Sequence, residues 1–100
     1  MNAVFHPAAQ REAQKATAHY TEINEQLGRD FRIELERAIA RILQSPTVWH
    51  IVEKKEYRRC ILNRYPFGVI YLTDQFKNEC QVFAVMHFKR KPGYWQSRTF

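Results

Sequence analysis

Cysteine and glycine are scarce in this sequence of 100 residues. The two cysteines, Cys60 and Cys80, lie in separate apolar stretches, and neither has a second Cys or His beside it at metal-ligand spacing. We interpret both as reduced core thiols and expect no metal site. With three glycines, the chain has no glycine-rich phosphate loop, and no other cofactor motif occurs in it. We therefore expect no cofactor.

Long apolar runs are also lacking. No run approaches the roughly twenty residues that span a bilayer, and the first residues have neither the basic nor the apolar segment of a signal peptide. We therefore expect a cytoplasmic protein without a membrane partner. An apolar content of 45% is far too high for a disordered chain, and the length suits one core. A single domain over residues 1–100 is predicted.

The positive charge is confined to one half of the chain. The formal net charge is +6; residues 1–50 carry six basic and six acidic side chains, whereas residues 51–100 carry ten and four. Clustered Lys and Arg favour a polyanionic partner, because phosphate contacts release counterions. An acidic protein segment is a second possible partner, and a role in solubility alone is a third interpretation.

Two helical segments occupy the first half. Pro7 suits a first helical position, and the stripe that follows has apolar residues at intervals of three and four, at Ala9, Ala13, Ala16, Tyr20, Ile23 and Leu27. Gly28 is predicted to stop or bend this helix. A second stripe comprises Phe31, Leu35, Ile39, Ile42 and Leu43, and Ser45-Pro46 ends it. The short connection predicts a helical hairpin.

Three strands are predicted in the second half, rich in β-branched and aromatic residues, at Tyr57–Asn63, Phe67–Thr73 and Gln81–His87. A short strand at Asn2–Phe5 precedes the helices; its pairing partner is not fixed by the sequence, and residues 47–56 are left unassigned. The predicted fold class is α+β in the order β-α-α-β-β-β, with the helical hairpin packed on one face of a small, mostly antiparallel sheet.

Basic and aromatic side chains interleave from the first of these strands to the chain end. They comprise Arg58, Arg59, Arg64, His87, Lys89, Arg90, Lys91, Tyr94, Trp95 and Arg98. Guanidinium groups bind phosphates bidentately and aromatic rings stack on bases, so the set is suited to nucleic acid. From the strand order we expect Arg58 or Arg59, at the start of a strand, to approach His87 and the tail.

Each of these assignments has a structural alternative. Trp95 and Tyr94 are also suited to folding back over the core while the charges stay solvated, and His87 to being a hydrogen-bonded structural residue. RNA cleavage without a metal needs a base, an acid and cations for the phosphorane charge. His87, Tyr94 and the arginines have the side-chain types for those roles.

A family resemblance rests on three stretches. The first runs from Phe5-His6-Pro7-Ala8-Ala9 through Glu12 and Ala16 to His19-Tyr20, then Leu27-Gly28 and Phe31. The second is Arg58-Arg59 with Tyr65-Pro66-Phe67-Gly68-Val69-Ile70-Tyr71. The third is Val82-Phe83-Ala84-Val85-Met86-His87, then Arg90, Pro92, Tyr94-Trp95 and Arg98. In these stretches the chain resembles the RelE/ParE toxins, and specifically the ParE-like, plasmid stabilisation branch.

The resemblance implies the β-α-α-β-β-β fold, a growth-inhibiting toxin and a cognate antitoxin that neutralises it. ParE-like members poison DNA gyrase, whereas RelE-like members cut mRNA on the ribosome. The positions kept by the ParE-like branch are matched by Arg58 or Arg59, His87, Arg90 and Trp95.

For the nuclease branch, the nearest matches are Arg64, His87 and Tyr94. Phe88 stands where some nucleases have tyrosine. The lysine-rich set of the ribosome-dependent enzymes is matched only in part, by Lys54, Lys55, Lys89 and Lys91. The resemblance therefore favours gyrase over the ribosome and mRNA, and a toxin without its own catalysis over an endoribonuclease. A non-toxic basic domain that binds nucleic acid is the third interpretation.

Overall fold

Five strands and two helices make up the fold. The computed structural model describes residues 1–53 and 57–100. In chain order the elements are β1 (Asn2–Phe5), α1 (Pro7–Ile23), α2 (Glu25–Gln44), β2 (His50–Val52), β3 (Tyr57–Ile61), β4 (Phe67–Asp74) and β5 (Glu79–His87). Neither helix is long and apolar enough to cross a membrane, within the described residues.

The strands form one sheet in the order β1-β5-β4-β3-β2. Neighbouring strands are antiparallel except that β1 runs parallel to β5. The predicted α+β class and the helical hairpin against a mostly antiparallel sheet are confirmed. The structure adds β2 inside the segment that was left unassigned, and it gives the N-terminal strand its partner.

The boundary between the helices differs from the prediction. Asn24, not Gly28, separates them: its backbone is extended, its N–H donates to the Tyr20 carbonyl (3.0 Å), and its side chain accepts from the N–H of Gln26 (2.8 Å). Asn24 is thus the N-cap of α2. Gly28 lies within α2, where a Cβ would stand 3.0 Å from Thr21 Cα, so it permits close contact with α1 rather than ending a helix.

Apolar side chains are buried on both faces of the sheet. On the helical side, aromatic rings from both layers pack edge to face or stacked, with centroids 5.1–5.2 Å apart for Phe31 with Tyr20, Tyr65 and Phe67. On the other face, Tyr57, Ile70 and Phe83 lie under the C-terminal segment, from which Trp95 inserts. The segment after β5 is therefore part of the core.

The ends of the strands do not meet as predicted. We expected the start of β3 near the end of β5, and this was wrong. In an antiparallel meander alternate strands run the same way, so β3 and β5 start together and end together. The register places Arg58 opposite Tyr71, which pairs with Val82, whereas His87 pairs with Phe67. Arg64, in the turn after β3, therefore lies at the same end of the sheet as His87.

Candidate interaction surface

Most of the predicted basic and aromatic residues fall into two groups. One group gathers around the carboxylate of Glu12 on α1, beside the edge of β5. It consists of Arg90, Tyr94 and Arg98. The other group comprises Arg59 on the sheet face and Arg64, His87, Lys89 and Lys91 at the end where β3 and β5 stop. Lys54 and Lys55 lie outside the described residues.

Glu12 receives five hydrogen bonds. Arg98 donates from Nη1 to Oε1 (2.9 Å) and from Nη2 to Oε2 (3.0 Å), a bidentate pair. Tyr94 donates its hydroxyl at 2.6 Å and Arg90 donates from Nη1 at 3.2 Å. The fifth donor is the N–H of Val85 at 3.1 Å. One side chain of α1 therefore fastens three residues of the C-terminal segment to the sheet.

The position of Glu12 follows from the length of β1. β1 pairs with β5 only as far as Phe5 opposite Val82, after which His6 donates to the Val82 carbonyl and the chain turns into α1. β5 continues beyond that point, and its edge N–H at Val85 has no strand to pair with. A buried backbone N–H needs an acceptor. The Glu12 carboxylate supplies one and thereby completes the β5 edge.

The network is largely shielded from water. The side chains of Glu12 and Arg98 are 13% and 15% exposed, whereas that of Arg90 is 51% exposed. The hydrogen bond to Glu12 raises the pKa of Arg98, and burial, followed by the hydrogen bond to Glu12, raises that of Tyr94 above its ordinary value. Arg90 also lies over the Tyr94 ring, with Cζ 3.8 Å from its centroid. The Tyr94 hydroxyl is thus engaged by Glu12.

Trp95 is 2% exposed and Arg98 donates also to the Phe83 carbonyl (2.8 Å). Both residues therefore have their contacts inside the molecule, which is the structural alternative considered for the tail. Of the three residues that contact Glu12 from this segment, Arg90 has half of its side chain exposed to solvent.

Arg58 and Arg59, adjacent in β3, lie on opposite faces of the sheet. Arg58 is on the helical side and donates from Nη1 to the Trp49 carbonyl (2.8 Å). Arg59 is on the other face, with its stem against Gly68; a Cβ on Gly68 would be 3.0 Å from Arg59 Cγ. Within residues 1–53 and 57–100, the buried Arg59 Nε has no hydrogen-bond partner. Arg58 is thus held in place, whereas Arg59 has donor capacity left over.

His87 is half-buried at the end of β5. Its ring stands edge to face on Phe67, with centroids 5.0 Å apart, and its Nδ1 accepts from the Lys89 N–H at 3.0 Å. These contacts fix the ring, and Nε2 is the ring nitrogen that makes no hydrogen bond with the described residues. Arg64 is exposed in the turn after β3 with a positive φ of 72°. Arg64 and His87 therefore share an end of the sheet, while Tyr94 is committed to Glu12.

A second buried carboxylate, Glu34 on α2, was not singled out from the sequence. It accepts from Arg41 Nη2 (2.8 Å) and from the Asn63 N–H (2.6 Å), so it joins α2 to the end of β3. Burial raises the pKa of Glu34, but the hydrogen bonds from Arg41 and Asn63 outweigh that effect, and its pKa lies below the ordinary value. Like Glu12, it follows no helical or strand pattern that would mark it in the sequence.

An open groove of about 940 Å³ runs between β1 and the helical hairpin. Val4 and Phe5 line it on one side, and Ala13, Ala18 and Leu35 are among the residues from the helices. The β1 side of the groove belongs to an edge strand, since no strand lies beyond β1 in the described sheet. Among the described residues, no group of three His, Cys, Asp or Glu side chains is placed to hold a metal ion.

If the Glu12 carboxylate holds the C-terminal segment, Glu12→Ala should be strongly destabilising. We expect it to lower the free energy of unfolding by about 3 kcal/mol, because it leaves the largely buried Arg98 without its counter-charge. Urea denaturation followed by circular dichroism gives the value. Glu22→Ala, an exposed change on the same helix, is the matched control and should cost less than about 0.5 kcal/mol. Equal losses in the two variants would contradict the role of Glu12.

Comparison with known proteins supports the fold. No protein-family model and no curated protein sequence matches the chain. Among solved structures, a chain of the chromosomal ParDE TA system from P. aeruginosa is similar, with a TM-score of 0.73 and 17% sequence identity. The match covers 89% of this chain and 97% of that chain. The chain therefore has the ParE-like fold that the resemblance of its sequence implied.

Proposed function

We propose that this protein is the toxin of a type II toxin–antitoxin system, that it inhibits growth by acting on DNA gyrase, and that a cognate antitoxin neutralises it. Its fold is shared with a chain of a ParDE TA system. The observation that carries the choice of target is the commitment of Tyr94 to Glu12, at 2.6 Å. That contact removes the best candidate acid from a nuclease site and leaves a cationic surface without a matched proton donor.

A gyrase poison and a nuclease make different demands on the protein. The poison needs a complementary surface and cations that hold an enzyme–DNA intermediate. The nuclease needs a base, an acid and a charge stabiliser around one phosphate. Among the predicted site residues, His87 has the imidazole side chain that suits a general base. Its ring is fixed by Phe67 and Lys89, and among the described residues no hydrogen bond or ion pair links it to Arg64 or Tyr94.

Cleavage of mRNA on the ribosome is the second candidate function. One observation favours it: Arg64 and His87 lie at the same end of the sheet, where the sequence alone had placed Arg58 or Arg59. A base and a cation are thus available together at that end. The missing acid would then have to come from a group other than Tyr94.

The groove beside β1 supports the proposal of an antitoxin. It is open, has apolar residues on both sides, and continues into the free backbone edge of β1. A disordered segment can fold as it binds to such a groove. It would pack the apolar face of a helix against the apolar lining or add a strand beside β1. The segment we propose is amphipathic and acidic, because the chain carries a net charge of +6.

Two assays on the purified protein test the target. We expect inhibition of supercoiling by gyrase with accumulation of linear DNA, and no cleavage of mRNA on translating ribosomes. His87→Ala should leave gyrase inhibition within about twofold of the wild type, because a histidine without a catalytic role contributes little to binding. Ribosome-dependent cleavage that disappears in His87→Ala would contradict the gyrase assignment. Induced expression that leaves growth unaffected would favour the non-toxic nucleic-acid-binding domain instead.

The antitoxin site is tested by a charge placed in the groove. Ala18→Glu puts a long side chain with the charge sign of the proposed acidic segment among the groove residues, at an exposed position where the fold should tolerate it. We expect the affinity for the antitoxin to fall by about tenfold or more while growth arrest persists, since steric blocking of a groove costs at least ~1.4 kcal/mol. The control is His19→Glu, exposed and adjacent but outside the groove. Equal affinity in both variants would place the antitoxin elsewhere.

A further inference from the structure

Among the described residues, Arg59 is the arginine of the predicted cluster that has a buried donor without a hydrogen-bond partner. Arg58, Arg90 and Arg98 each donate to an oxygen of the protein. Arg59 forms no ion pair with the described residues, and its Nε is buried without an acceptor. A buried donor of a charged group without an acceptor is costly. A bound anion would accept from the terminal Nη groups of the same guanidinium, which make no hydrogen bond with the described residues.

The side chain of Arg59 is held in a defined direction. Gly68 on the neighbouring strand makes room for its stem, since a Cβ there would stand 3.0 Å from Cγ and 3.1 Å from Cδ of Arg59. Gly68 pairs with Ile61 on one side and Met86 on the other, near the strand ends. The stem therefore leans across the sheet toward the end that carries Arg64 and His87. A guanidinium that is already oriented loses little freedom on binding.

The surroundings of Arg59 favour a phosphate over a carboxylate of a protein partner. His50 stands directly opposite Arg59 on β2, is exposed, and adds a second donor on the same face. At the adjacent end, Arg64, Lys89 and Lys91 are all exposed. Several cations spaced over one surface match the regular charges of a nucleic-acid backbone, which gains from counterion release at each contact.

We propose that Arg59, with His50 beside it, is a phosphate-binding site through which the protein contacts duplex DNA directly. This inference rests on the proposed action on gyrase, whose substrate is duplex DNA, and it goes further because it assigns a DNA contact to the toxin itself. Phosphate contacts of this kind position a protein on the duplex without reading the base sequence. Binding is therefore independent of sequence and weakened by salt.

Fluorescence anisotropy with a short labelled duplex and the purified full chain tests the site. We expect Arg59→Ala to weaken binding by about tenfold and to reduce the slope of log affinity against log salt by about one. Arg11→Ala on the exposed surface of α1 makes the same change in net charge and should weaken binding by less than about twofold. Arg58→Ala, adjacent in sequence but on the helical face, should behave like Arg11→Ala once each variant is confirmed to be folded.

A second variant leaves the net charge unchanged. Gly68→Ala pushes a methyl group against the Arg59 stem and displaces the guanidinium, so it should lower the affinity for the duplex as well, though less than Arg59→Ala. Circular dichroism and thermal melting of each variant separate this effect from unfolding. A fall in affinity with an unchanged melting temperature supports the proposal.

Three outcomes would overturn the site. The first is an equal loss of affinity in Arg59→Ala and Arg11→Ala. The second is a wild-type protein that does not bind duplex DNA. The third is Arg59-dependent binding of single-stranded RNA without binding of the duplex. Supercoiling by gyrase is measured on the same samples. Inhibition of gyrase by a protein that does not bind DNA would contradict the phosphate-binding site but would agree with the proposed function.

Discussion

The carboxylate of Glu12 is the contact on which the position of the C-terminal segment depends. It accepts from the edge of β5 and from three side chains of the last segment, so one helix residue connects α1, the sheet and the tail. Without that anchor, Trp95 would lose the segment that holds it over Tyr57 and Phe83. The second face of the sheet would then be open to water. A charge that is buried in this way stabilises only because its partners are complete.

The same contact divides the basic residues by role. The side chains of Arg98 and Tyr94 donate to Glu12 inside the molecule, and Arg58 donates to a backbone carbonyl. What remains for a partner is the face and end of the sheet with Arg59, Arg64 and the lysines after β5. A charge cluster seen in a sequence is therefore not one surface. Its members with carboxylate or carbonyl partners hold the fold, and those without such partners are available to a target.

The helices, strands and fold class were predictable because they depend on local patterns. Capping by Asn24 in place of a stop at Gly28 was missed, since both residue types occur at helix ends and only the close approach to Thr21 decides between them. The pairing of β1 with β5 and the roles of Glu12 and Glu34 involve partners far apart in the chain, which periodicity does not encode. The misplacement of His87 beside Arg58 was an error of strand geometry, because β3 and β5 run in the same direction.

We propose that Arg98 holds the tail in the fold, whereas the face with Arg59 contacts the target. The most direct test of this proposal compares growth arrest on induction with the melting temperature of the purified protein, in Arg98→Ala and in Arg59→Ala. We predict that Arg98→Ala lowers Tm by roughly 10 °C or more and weakens arrest only as far as folded protein is lost. We predict that Arg59→Ala weakens arrest at an unchanged Tm, because its affinity for the duplex falls by about tenfold. Loss of arrest in Arg98→Ala at full stability, or full arrest in Arg59→Ala, would contradict this division of roles between the two arginines.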